Sequence, residues 1–119
     1  MNRYTTNELQ EAIRPITSLI NKSEKAQQKL TPGTWQHTML QENLTALHLA
    51  LALMSGTKNG VAVPRQEDLQ AALRAFAAMT NKSKKAQAKF APGTSHYTLQ
   101  RNRLKAFRTA KALINAELK

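Results

Sequence analysis

The residues in this chain whose type and spacing most suggest chemistry are cations. On a helical wheel of ~100° per residue, Arg74, Lys82, Lys85 and Lys89 fall on one side. Arg14, Lys22, Lys25 and Lys29 do the same 60 residues earlier, and in both sets the cations lie opposite an apolar stripe. A second stripe, Arg101, Lys105 and Arg108, has i, i+4, i+7 spacing. An ammonium on a flexible stem suits diffuse contact with phosphate better than paired reading of base edges. These stripes are therefore candidates for a polyanion-binding surface, with Arg74, Lys82, Lys85, Lys89, Arg101, Lys105 and Arg108 as its main members. Arg14, Lys22, Lys25 and Lys29 form a secondary stripe.

Other reactive groups form no constellation. His37 and His48 are eleven apart and share a helical face, but no acid lies one turn from both, so no metal site is expected. His96 stands apart from them. The seven carboxylates give no acid/base pair, and Glu8 and Glu11 suit the positive end of a helix instead. There is no cysteine, which excludes thiolate chemistry and disulfides, and the four glycines are too scattered for a phosphate loop. No catalytic residue, metal or cofactor is expected, and the protein is not read as an enzyme. Trp35, alone and beside a loop, is expected to cap the end of a core.

The charge is lopsided. Lys and Arg number 18 against 7 Asp and Glu, a net +11. Residues 1–60 hold six bases and four acids, +2, whereas residues 61–119 hold twelve bases and three acids, +9. A field of this kind attracts polyanions and repels basic surfaces.

The elements that must carry these cations come from an internal duplication. Shifted by 60 residues, Glu8–Met54 aligns without a gap on Asp68–Ile114, with 20 of 47 positions identical. Asn21-Lys22-Ser23-Glu24-Lys25-Ala26-Gln27-Gln28-Lys29 lies over Asn81-Lys82-Ser83-Lys84-Lys85-Ala86-Gln87-Ala88-Lys89, followed by Pro-Gly-Thr in both copies. The pattern Asn-Lys-Ser-x-Lys-Ala-Gln-x-Lys-x-x-Pro-Gly-Thr resembles the YoaC-like group of small bacterial helical proteins of unknown function, over one repeat. That resemblance implies an all-α bacterial protein and adds no activity.

Each copy has the pattern of helix, tight turn, helix. Leu9, Ile13, Ile16, Leu19, Ala26 and Leu30 line one face of the first helix, and Leu69, Leu73, Phe76, Met79, Ala86 and Phe90 line its counterpart. Pro32-Gly33 and Pro92-Gly93 break the chain, with positive φ expected at both glycines and Thr34 and Thr94 as N-caps. The stripes keep their phase through Asn21–Ser23 and Asn81–Ser83, so each first helix is expected to be continuous. Pro15 predicts a local kink in the first copy, since its counterpart is Ala75. Helix 35–54 is apolar on nearly every side and is expected to be the most buried, either at the domain centre or in a subunit contact.

A lone hairpin cannot bury its stripe, so the two copies are expected to fold together as an all-α four-helix array with pseudo-two-fold symmetry. The expected organisation is a single domain, 1–119, with repeat one at 8–54, a linker at 55–67 and repeat two at 68–114. The longest apolar run, Leu49 to Met54, falls far short of the ~20 residues that span a bilayer. No signal-like N-terminal segment is present, so a cytoplasmic protein without membrane contact, monomeric or homodimeric, is expected. Two functions compete: a basic module that contacts nucleic acid backbone or another polyanion without sequence preference, and an interaction or regulatory module with an acidic protein partner.

Overall fold

A computed structural model describes residues 4–56 and 64–118. Residues 57–63 of the expected linker lie outside the described residues, as do residues 1–3 and 119 of the expected domain. Four helices follow one another: α1 (Thr6–Gln28), α2 (Trp35–Ser55), α3 (Gln66–Ala88) and α4 (Ser95–Leu118). The described residues contain no strand.

The helix starts follow from local hydrogen bonding. Thr5 caps α1 in a reciprocal box: the Thr5 N–H donates to Glu8 Oε1 at 3.0 Å, and the Glu8 N–H donates to Thr5 Oγ1 at 3.1 Å. In α3 the equivalent cap position is Arg65, whose N–H donates to Asp68 Oδ2 at 3.3 Å. A guanidinium has no acceptor, so the return bond cannot form there.

The two hairpin turns are built alike. The Thr34 N–H donates to the Thr31 carbonyl and the Thr94 N–H to the Ala91 carbonyl, both at 3.3 Å. Each closes a four-residue turn with proline second and glycine third. Gly33 has φ 94° and Gly93 φ 92°, as the Pro-Gly pairs predict. The Thr34 and Thr94 hydroxyls then accept from the His37 and Tyr97 N–H groups at 3.3 and 3.2 Å, capping α2 and α4.

Both first helices run unbroken through their Asn-Lys-Ser segments, and α1 also continues through Pro15. Their inner faces differ in part from the expected stripe. After Ile16 and Ile20 the inward positions are Ser23 and Gln27, while Ala26 is exposed; in α3, Ser83 is buried. Spacing of four, three and four residues keeps a straight helix facing one direction. The apolar residues at 26 and 30 lie off that line, and Leu30 and Phe90 stand beyond the helix ends. Gln27 instead donates to Gln41 Oε1 at 2.9 Å, tying α1 to α2 through polar groups.

The core gathers Ile16 and Ile20 from α1, Leu44, Leu47 and Ala50 from α2, Leu69 and Phe76 from α3, and Phe107, Ala110 and Ile114 from α4. Phe76 and Phe107 pack tilted, ring centroids 5.7 Å apart. α2 and α4 each touch the other three helices, whereas α1 and α3 do not meet. The molecule is accordingly flat, 39 × 38 × 20 Å, about two helix diameters thick at ~10 Å each. α2 therefore shares the centre with α4, which buries as many residues, rather than being the most buried helix on its own. Leu49 and Leu51 are half-buried against the core of the same chain. Among the described residues no helix is long and apolar enough to cross a membrane.

Candidate nucleic-acid interface

The outer faces of α1, α3 and α4 carry the cations. Arg74, Lys82, Lys85 and Lys89 on α3 or at its end are exposed, as are Arg101, Lys105 and Arg108 on α4. Arg14, Lys22, Lys25 and Lys29 are exposed on or just beyond α1. All eleven point away from the apolar core because they sit opposite its stripe. α3 and α4 pack along one another, so both basic stripes belong to the same hairpin.

Among the described residues, one of these cations has an ion pair: Lys105 Nζ lies 3.4 Å from Glu11 Oε2, with both side chains about two-thirds exposed. An ion pair that open contributes little to stability, at most ~1 kcal/mol. Nearby, Glu8 is held below the usual carboxylate range, chiefly by the Thr5 backbone hydrogen bond, then by the Thr5 hydroxyl, with Lys105 adding to it. Arg103 was not among the expected site residues. It is half-buried, and loss of solvent lowers its guanidinium pKa.

The Lys105–Glu11 contact marks a neighbourhood that sequence reasoning did not foresee. α4 lies against α1 as well as α3, and between α1 and α4 runs a groove of about 570 Å³. Its floor is apolar, with Ala12, Pro15 and Ala106. Arg14, Lys105 and Arg108 supply positive charge, Glu8 and Glu11 negative charge, and Tyr4, Ser18 and Asn102 polar groups. Arg14, one cation of the secondary stripe, thus lines the same groove as two members of the α4 stripe. A usable signal was present in the 60-residue comparison. Glu11, Pro15 and Ser18 correspond to Ala71, Ala75 and Ala78, and Asn102, Lys105 and Arg108 to Glu42, Thr45 and His48. Two helix faces diverged together, but only the topology shows that they adjoin.

The remaining candidates are dispersed. His37 is half-buried, His48 is exposed, and His96 stacks on Phe90 with ring centroids 4.9 Å apart. Among the described residues no three His, Asp or Glu side chains cluster as a metal site would require. Trp35 does not cap the core: it is 68% exposed, with Met39 one turn further on at 40%. The Thr34 cap starts α2 at Trp35, which leaves the indole outside the packed part of the hairpin. No family model, curated protein or solved structure matches the chain.

Proposed function

We propose that the protein is a small, non-catalytic binding module that contacts the backbone of nucleic acid without sequence preference. The observation that carries this reading is the state of its outer cations: all eleven are exposed, and ten have no ion pair among the described residues. Solvated cations on a chain of net +11 attract polyanions and can release counterions from phosphate. From Arg74 to Lys89 is 15 helical steps, ~22 Å at ~1.5 Å each, the length of ~6 base pairs. Stripes rich in lysine, with few aromatic side chains, favour backbone contact over base readout. Fluorescence anisotropy with labelled DNA and RNA across a salt series tests the reading. Binding that weakens steeply with salt is expected, and no binding to either polymer at low salt overturns it.

A second reading has an observation of its own. Trp35 and Met39, exposed one turn apart at the start of α2, form an apolar contact point of the kind protein partners use. An acidic protein that covers them and touches the basic faces is the alternative occupant. The apolar length of α2 no longer argues for it, because that surface is used in the core.

A further inference from the structure

The α1–α4 groove differs from the outer stripes in having a floor. We propose that it seats one unpaired nucleotide, with the phosphate on Arg14 and Arg108 and the base over Ala12, Pro15 and Ala106. This inference rests on the nucleic-acid reading and narrows it to single strands. The groove's volume, about 570 Å³, is that of a small-ligand site. Its chemistry is divided as a nucleotide's is: an apolar surface for a ring, arginine for phosphate, and the Asn102 amide and Ser18 hydroxyl for polar edges. Lys105 faces Glu11, so the two arginines are the cations left for phosphate.

The repeat supplies an internal control. α3 and α2 pack together as the counterparts of α1 and α4. At the corresponding positions, however, stand Ala71, Ala75, Ala78, Thr45 and His48. Arg14 keeps a counterpart in Arg74, but Arg108 is matched by His48 and Asn102 by the acid Glu42, so two arginines beside a neutral amide are a property of the α1–α4 contact. A duplex cannot use the floor, because its bases are stacked and paired inside the helix. It can only lay its phosphates along the outer stripes. An unpaired nucleotide can turn its base inward over this apolar floor and withdraw the ring face from water.

The test compares a single-stranded ten-nucleotide oligomer, the matching duplex and adenosine monophosphate by anisotropy and competition. A preference of about tenfold or more for the single strand over the duplex is expected. Arg14→Gln with Arg108→Gln should abolish that preference. So should Ser18→Leu, which fills the groove without changing charge. Lys82→Gln, Lys85→Gln and Lys89→Gln together should weaken single strand and duplex alike. Competition by adenosine monophosphate, lost in the groove variants, supports the same site with the free nucleotide as its occupant. Duplex binding equal to single-strand binding, unchanged in the groove variants and without competition by the mononucleotide, overturns the groove but leaves the backbone reading standing. Absence of binding to any of the three overturns both. Circular dichroism of each variant guards against loss of fold, and all the substituted side chains are exposed.

Discussion

Phe76 and Phe107 meet at 5.7 Å in the core, at the positions that repeat one fills with Ile16 and Leu47. All four side chains are fully buried. The two repeats thus fill the same buried positions with different shapes, aromatic rings in one and aliphatic side chains in the other. Truncating Phe76 to alanine removes a whole ring from a sealed site and should cost ~3–5 kcal/mol, against ~2–5 kcal/mol for Ile16→Ala. Urea denaturation of both variants checks this. A loss below ~1 kcal/mol at Phe76 would contradict its place in the core.

Gly93 shows a different kind of constraint. A Cβ built there meets nothing within 4 Å, so alanine would suffer no clash with a neighbour. The expense lies in the backbone, since φ of 92° disfavours any side chain. Gly93→Ala should therefore destabilise by ~1 kcal/mol or more, and Gly33→Ala by a similar amount. Thermal unfolding of the two variants should give closely matched shifts, because the turns share the same hydrogen bonds.

Glu8 couples stability to pH. Its carboxyl titrates below the usual range in the folded chain, so the folded state favours the ionised form. For a depressed acid, the stabilisation is complete above the unfolded pKa and is lost as pH falls through the folded one. The melting temperature of wild type should therefore approach that of Glu8→Gln as pH drops from ~5 towards ~3. Parallel curves across that range would show that the capping box makes no pH-dependent contribution.

The turns and the capping threonines were legible in the sequence because they are local: a proline, a glycine and a hydroxyl within a few residues decide them. The outer position of the basic stripes was legible for the same reason, since helical periodicity alone separates Lys82, Lys85 and Lys89 from Phe76. Three things were not. Ser23 and Gln27 turn inward because the helix continues unbroken past Ile20, which a search for apolar residues overlooks. Trp35 stands outside because it lies in the first turn of α2, well ahead of Leu44, the first buried residue of that helix. The α1–α4 groove depends on which hairpin face meets which, and residues such as Glu11 and Lys105, 94 positions apart, carry no local trace of their contact.

The basic face should declare itself in salt dependence. Each lysine that displaces a counterion from duplex DNA contributes ~0.9 to the slope of log affinity against log salt. Replacing Lys82, Lys85 and Lys89 with glutamine should thus flatten the slope by ~3 units if all three touch phosphate. The same changes at Lys22, Lys25 and Lys29 should do less, since residues 1–60 carry a net charge of +2 against +9 for residues 61–119. Equal flattening by the two triple variants would mean that the protein uses net charge rather than a face.

Repeat two also contains polar atoms where repeat one is apolar. Thr80 Oγ1 and Gln100 Oε1 are sealed from solvent without a hydrogen-bond partner among the described residues, and their counterparts are Ile20 and Leu40. A buried acceptor left unpaired costs ~1–3 kcal/mol relative to its solvated state, whereas an apolar group of similar shape does not. Thr80→Val keeps the shape and removes the hydroxyl. It should be neutral or stabilise by up to ~1 kcal/mol, and Gln100→Leu, which installs the repeat-one residue, should act in the same direction. Chemical denaturation gives the sign for each. Destabilisation of more than ~1 kcal/mol by Thr80→Val would mean that its hydroxyl is bonded in solution, and that the interior of the α3–α4 hairpin is held by polar contacts as α1 and α2 are by Gln27 and Gln41.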